Sequence, residues 1–231
     1  MRLTERDRKF LTRLAAARWL STRQVAAWCF PSVNIEVARR RLRLLEDDEY
    51  IFTHQRNAMD EALHSLAKKG RDLLKEKGWE YPLRLEKAPP TNLAHFLGIN
   101  DIRIAVTEGT ARDGVAIGFF FACWELQQRG WPYRLIPDAA CNLSRSQSSV
   151  NVVFEYDRGE ESIAYLRRTK LLPYLEGFGG FVIRRVVFVV ENDERSEELK
   201  EVLSNLDEER MFAVLMRTRL DASFSPIDYF A

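Results

Sequence analysis

Asp138, Glu155, Asp157 and Lys170 are the residues whose types and spacing could do chemistry in this sequence. Asp138 follows Pro137, and Glu155 comes seventeen positions later, with a polar stretch at 144–149 between them. Read as a hairpin loop, that stretch sets Asp138, expected mid-strand, across from Glu155 on an adjacent strand. Glu155 and Asp157 are two apart on one strand and project to the same face. Carboxylates this close repel, and each rises in pKa unless a cation intervenes. Their hard oxygens suit magnesium or manganese. Lys170, in the helix expected next, could turn its ammonium back to the sheet, activate a water and offset charge on a phosphate transition state. The four side chains can thus hold a divalent metal against a phosphodiester, with Asp138, Glu155 and Asp157 as ligands and Lys170 assisting. A second reading stands beside this one. Arg158, Arg167 and Arg168 could neutralise the acids without any metal, leaving an inert polar cluster.

The elements that must position these residues follow from the apolar pattern. Apolar positions from Leu93 to Val106 predict a long helix ending near Gly109. The run from Val115, continuing to Gln127, predicts a buried strand, and residues 135–143 and 150–157 two more. Residues 160–175 predict a helix, 184–190 a short buried strand, 193–206 an exposed helix and 211–216 a last strand. Three strands on short turns are antiparallel, and a helical crossover brings the fourth alongside in parallel. The expected class is a mixed α/β sheet with helices on its faces.

The front of the chain has a different character. Residues 1–45 hold eleven Lys/Arg against three Asp/Glu. Residues 1–87 carry a net +6 and the remainder −5, although the whole chain is +1. A basic front on a slightly acidic body points to a polyanion partner. Thr4 reads as a helix cap ahead of Phe10, Leu11 and Leu14. Ser21 or Thr22 starts a second helix that Pro31 ends, and residues 33–45 a third, crowded with Arg39, Arg40, Arg41 and Arg43. Residues 50–52 and 62–66 flank a polar tip and suggest a hairpin, followed by a helix at 67–78. Three short helices and a hairpin are the order of a winged helix-turn-helix, whose third helix enters the major groove. Arg39, Arg40 and Arg43, with Arg23 on the second helix and Arg56 on the wing, are the expected duplex contacts. The plainer reading is a small helical domain whose arginines form a solvated face. The boundaries expected are 1–80 for this domain, 81–91 for a linker rich in proline, and 92–231 for the α/β domain.

Several classes are excluded. Hydrophobic residues make up 46% and charged residues 30%, as in an ordinary globular protein. No apolar run reaches membrane-spanning length, so no membrane partner is expected. The charged start, MRLTERDRKF, is unlike a secretory signal, and a cytoplasmic location is expected. Three dispersed cysteines offer neither a disulfide framework nor a zinc site. His54 and His64, in or beside the wing, are expected to be exposed, and His95 either faces the acids or caps and packs its helix.

The motifs carry a resemblance. Pro137-Asp138 and Glu155, in a helix-strand-strand-strand-helix-strand order, look like the PD-(D/E)xK nuclease superfamily. More narrowly, the layout resembles the replication-relaxation family of plasmid and mobile-element proteins. The matching pieces are the winged-helix pattern, HFLGIN at 95–100, IPDA at 136–139, FEYDRG at 154–159, and Lys170 with Tyr174. The resemblance implies a winged helix followed by a restriction-endonuclease-like core, in a DNA-binding protein of replication, relaxation or mobilisation. One departure concerns the lysine: the nuclease motif places it two positions after the acid, where this chain has Asp157, so Lys170 would have to act from the helix. Two other functions remain alternatives: an active Mg2+- or Mn2+-dependent endonuclease or nickase, and a transcriptional regulator whose second domain is inert. A homodimer on paired half-sites and contacts with replication or mobilisation proteins are left open.

Overall fold

The computed structural model describes residues 2–230 except Ser32, Arg56, Ala58, residues 80–82, Lys87, residues 178–180, residues 207–210 and Ala222. Arg56, expected on the wing, therefore lies outside the described residues. The chain forms two compact units, Met1–Asn100 and Asp101–Ala231.

In the first unit, helix α1 (Glu5–Ala17) starts where Thr4 and Asp7 cap each other reciprocally. It buries Phe10, Leu11, Leu14 and Ala17. Strand β1 (Leu20–Ser21) runs directly into α2 (Thr22–Cys29), where Ser21 and Gln24 repeat the capping arrangement. Asn34 caps α3 (Ile35–Asp47), which buries Ala38, Leu42 and Leu45. Strands β2 (Ile51–His54) and β3 (Leu63–Leu66) pair antiparallel, and β1 joins the other edge of β3, giving the order β1-β3-β2. Helix α4 (Lys68–Glu76) closes the segment, and the chain leaves it through Gly78 at φ 83°. His64, expected at the surface, is 3% exposed. Its ring nitrogens lie 3.0 Å from Thr22 Oγ1 and 3.2 Å from Thr53 Oγ1, so two hydroxyls replace its water. Burial pushes its pKa down to about 4, against the opposing charge of Glu61.

Helix α5 (Leu93–Asp113) crosses the division between the units. The division falls inside this helix, not within residues 81–91, where composition suggests a linker.

The second unit is built on a five-stranded sheet in the order β4-β5-β6-β7-β8: β4 (Ala116–Ala122), β5 (Ala139–Arg145), β6 (Ser148–Asp157), β7 (Arg185–Val190) and β8 (Phe212–Met216). The first two pairings are antiparallel and the last two parallel, in agreement with a mixed sheet. Strand β4 stops at Ala122 instead of continuing to Gln127. The Glu125 carboxylate turns back to the Ala122 N–H at 2.9 Å and opens a short helix, α6 (Cys123–Gln128). Strand β5 begins only at Ala139, so Asp138 sits at the strand's mouth and not mid-strand. Pro137 has no N–H for the ladder, which pushes the start of pairing past it. The expected 144–149 loop is tighter as well. Arg145 pairs with Ser148, and Ser146 takes the left-handed conformation at φ 54° to close the turn.

Between β6 and β7 runs a helical stretch in three pieces: α7 (Ile163–Leu166), a π-helical turn at Arg167–Leu171 and α8 (Leu172–Glu176). Pro173 explains the widened turn, because without an N–H it cannot bond the carbonyl four residues back. Helix α9 (Asp193–Ser204) connects β7 to β8 and was expected to be exposed, yet it buries Arg195, Ser196, Leu199 and Leu203. One core joins α6, the helical stretch and α9 to the sheet through Leu126, Ala140, Val153, Leu171, Tyr174, Phe188 and Leu199. No helix among the described residues is long and apolar enough to cross a membrane.

Candidate functional site

Three of the four singled-out residues meet at one end of the five-stranded sheet. The register pairs Ala139 with Phe154, which brings Asp138 opposite Glu155 on the same face. Asp138 is fixed by its Oδ2, which accepts the Tyr156 N–H at 2.8 Å, while its own carbonyl accepts the Cys123 N–H at 2.8 Å. Glu155 is sealed at 1% exposure. Its Oε2 accepts from the Lys170 ammonium and its Oε1 from the Tyr174 hydroxyl. Lys170 Nζ also lies 4.0 Å from Asp138 Oδ2, and its side chain is 24% exposed. The π-helical turn that carries Lys170 therefore directs it to both acids, while Arg167 and Arg168 on the same turn stay exposed.

The electrostatics of this group pull in two directions. Burial pushes Glu155 up to about 7, Asp138 adds to the rise, and Lys170 opposes it. For Lys170 burial works against the charge, but Glu155 and Asp138 outweigh it and hold the ammonium above the ordinary lysine value. The lysine's shift describes a favourable ion pair, and the acid's shift describes one that burial overcomes. The acid is the more constrained partner, since Glu155 is closed off from water while the lysine head is partly open. A raised Glu155 beside a firmly charged Lys170 is the state the geometry supports. Burial likewise pushes the Tyr174 phenol up, and Glu155 adds to it, so Tyr174 acts as a donor to the acid.

Asp157 is engaged elsewhere. Its Oδ2 accepts from Arg195 Nε at 2.7 Å and its Oδ1 from the Gly159 N–H at 2.8 Å. Arg195 also donates to the Glu161 carbonyl at 2.8 Å and to Glu198 at 3.1 Å, tying the end of β6 to α9. Among the described residues no group of three or more His, Cys, Asp or Glu side chains is placed to hold a metal ion. The neutralising role considered for Arg158 also goes elsewhere, since that residue pairs with Glu160 at 3.0 Å.

In the first unit, Arg39, Arg40 and Arg43 stand exposed on α3, and Arg23 on α2. Arg41 does not join them: its guanidinium grips Asp7, which is 1% exposed, from Nε at 2.7 Å and again from the second nitrogen. Arg39 contacts Glu36 one turn earlier, whereas Arg40 and Arg43 have no ion-pair partner among the described residues. His95 belongs to the first unit and is half-buried.

Sequence reasoning missed Arg195 and gave Tyr174 no role. The partners of these residues lie thirty-eight and nineteen positions away. No local spacing signals such contacts; only the crossover order of the sheet brings them together.

No curated protein matches the chain. Among solved structures it is similar to the restriction endonuclease FokI, at 11% identity and a TM-score of 0.31, over 96% of this chain and 45% of that one. It is also similar to FokI bound to DNA, at 14% identity and a TM-score of 0.30, over 99% of this chain and 48% of that one. The chain thus spans less than half the length of either. The replication-relaxation family matches residues 11–178, the stretch that holds α3, Asp138, Glu155, Lys170 and Tyr174, and the chain belongs to that family.

Proposed function

We propose that this protein binds duplex DNA through its first unit, as a winged helix, in the replication, relaxation or mobilisation of a plasmid or mobile element. One observation carries the reading: α3 turns Arg41 inward to Asp7 and keeps Arg39, Arg40 and Arg43 outward. The outward arginines lie in the order helix, strand, helix, helix, strand, strand, beside the β2–β3 hairpin. In that order α3 is the helix that enters the major groove, and the hairpin is the wing. Most such contacts position the protein on phosphates and do not read bases. With about six phosphate contacts, affinity should fall roughly a thousandfold between 50 and 200 mM salt. Fluorescence anisotropy on a labelled duplex tests this. Arg39→Ala, Arg40→Ala and Arg43→Ala together should weaken binding and flatten the salt dependence; an unchanged affinity removes α3 from the interface.

A second reading, an endonuclease or nickase, is favoured by the approach of Lys170 to both Asp138 and Glu155. A magnesium or manganese ion fits two of the three expected ligands. Magnesium is commonly held by one or two carboxylates, with waters and substrate phosphates completing the shell. Asp138 and Glu155 are such a pair, and Glu155, whose oxygens accept from Lys170 and Tyr174, would have to exchange one of these donors for the ion; Asp157 has both oxygens on Arg195 and Gly159 and serves to position the strand end. Such an ion would supply an activated water and charge stabilisation at the phosphate. The chain's own contribution is Lys170, a charge beside the acids, and Tyr174, which fixes the rotation of Glu155. Incubation with supercoiled plasmid and Mg2+ or Mn2+ tests it: nicking abolished by Asp138→Ala and by Glu155→Ala establishes the enzyme, and intact plasmid with either metal removes it.

A further inference from the structure

The groove between α3 and the β2–β3 hairpin has a volume of about 730 Å3, and its charged lining is Arg23, Arg39, Arg43, Glu46, Asp60 and Glu61. Three cations therefore face three carboxylates. A surface that holds a polyanion gains from an excess of cations, and among the described residues this groove has none. Part of the balance is made by direct contact. Glu61 accepts from the Arg23 backbone N–H at 2.8 Å, from its Nε at 3.3 Å and from its terminal nitrogen at 3.2 Å. The Arg23 side chain is still 82% exposed and that of Glu61 30%, so the pair sits open at the mouth of the groove. Glu46 differs, because it accepts the Thr53 N–H at 3.2 Å and ties the hairpin to α3.

Two carboxylate oxygens on one side of a guanidinium occupy the place that two phosphate oxygens take when arginine binds a nucleic-acid backbone. Burial works against the charge on Glu61, but Arg23 outweighs it and holds the carboxyl below its ordinary pKa. At neutral pH the carboxylate is ionised and in place. An ion pair this exposed is weak, and can be exchanged for another anion without unfolding anything.

We propose that Glu61 is a built-in competitor for DNA phosphate at Arg23. In the free protein Arg23 rests on Glu61; on the duplex the guanidinium exchanges the carboxylate for a backbone phosphate. The inference rests on the DNA-binding reading and deepens it. It makes the hairpin base a brake on indiscriminate binding, since each encounter must displace an acid that is already seated. It also separates Arg23 from Arg40 and Arg43, which have no ion-paired carboxylate to leave among the described residues.

The test is a salt titration of the full chain on a fluorescent duplex, for Glu61→Gln, Glu61→Ala, Arg23→Ala and the Glu61→Gln/Arg23→Ala double variant. Removing one negative charge beside a phosphate should tighten binding about fivefold at 50 mM salt, the equivalent of ~1 kcal/mol for unit charges in water. The logarithmic salt slope should stay near the parent's, because the Arg23–phosphate contact is made in both complexes, and should flatten by about 0.9 in Arg23→Ala, which loses it. Arg23→Ala should weaken binding, and Glu61→Gln should then add nothing. Glu61→Ala guards against a defect peculiar to glutamine and should show the same gain. Equal or weaker binding in both Glu61 variants overturns the proposal, because an acid that only tethers the hairpin would give that result. A gain that persists undiminished in the Arg23→Ala background also overturns it, since the acid would then act through the general field. If instead the triple α3 variant binds as well as the parent, the DNA-binding reading itself fails.

Discussion

Glu155 concentrates the chemistry of the second unit in one buried carboxyl. Its folded pKa, pushed up to about 7 by burial, lies above the value of 4.5 for a free glutamate. For an acid displaced upward, the folded state holds the proton over the interval between the two values. Stability therefore falls as pH rises from about 4.5 to 7, and little further change comes above it. Glu155→Gln removes this titration while keeping a group that can bond Tyr174. The Tm of the variant relative to the parent should rise between about pH 4.5 and 7 and level off above that, by roughly 2–4 °C for each kcal/mol involved. A difference that stays flat across this interval would mean that Lys170 keeps Glu155 ionised throughout. A second residue-scale prediction concerns Arg195, buried against Asp157. Arg195→Ala leaves the acid without its cation and should cost about 3–5 kcal/mol, read as a fall in urea midpoint. Asp138, Glu155 and Lys170 were legible as a group because strand alternation and one hairpin bring them together. Asp157 shares their face by the same alternation, but a partner from α9 claims it, and alternation says nothing about partners from distant elements.

At the scale of elements, the sequence was clearest where the signal was local. Thr4-x-x-Asp7 and Ser21-x-x-Gln24 start α1 and α2 because a cap and its reciprocal acceptor lie within four residues. The end of β4 was not legible, since an apolar run with strand propensity is cut by a side chain, Glu125, that bonds backward to Ala122. The π-helical turn was not legible: residues 160–175 read as one helix despite Pro173, whereas the widened turn carries Lys170 to Glu155. Packing between elements gives a sharper test at Gly70, in the first turn of α4. A Cβ added there would lie 2.3 Å from the Tyr50 carbonyl oxygen and 3.0 Å from Leu66. The nearest atom belongs to the backbone at the start of β2 and cannot swing aside. Gly70→Ala should therefore destabilise the first unit by about 1–3 kcal/mol, visible in its urea midpoint, despite alanine's better helix propensity. A neutral or stabilising result would show that α4 can slide on the hairpin.

For the whole molecule, composition made the split between a basic front and an acidic body legible, but not where the body begins. Prolines at 82, 89 and 90 suggest a boundary before residue 92. The first unit nevertheless keeps Leu93–Asn100, the opening turns of α5. The reason lies in side-chain contacts across more than seventy residues of sequence. Asn100 Nδ2 donates to the Trp19 carbonyl at 2.7 Å and to the Ala17 carbonyl at 3.2 Å, just where α1 ends and β1 begins. Gln24, already part of the α2 cap, donates from its amide to the Leu97 carbonyl at 2.8 Å. Arg18 lies over the Phe96 ring, 5.4 Å from its centre. The amide contacts of Asn100 and Gln24 satisfy polar groups at the α1–β1–α2 corner, and a buried hydrogen bond left unmade costs about 1–3 kcal/mol. A fragment ending at residue 91 should therefore unfold several kcal/mol more easily than one ending at residue 104, which retains Asn100 and a further turn of helix. Urea titrations of both fragments, followed by circular dichroism at 222 nm, measure the difference. Because Asn100→Ala removes two of these bonds without shortening the chain, it should reproduce part of the loss in the longer fragment. Equal midpoints for the two fragments would place the first unit's true end before α5 and make the Asn100 contacts incidental to its stability.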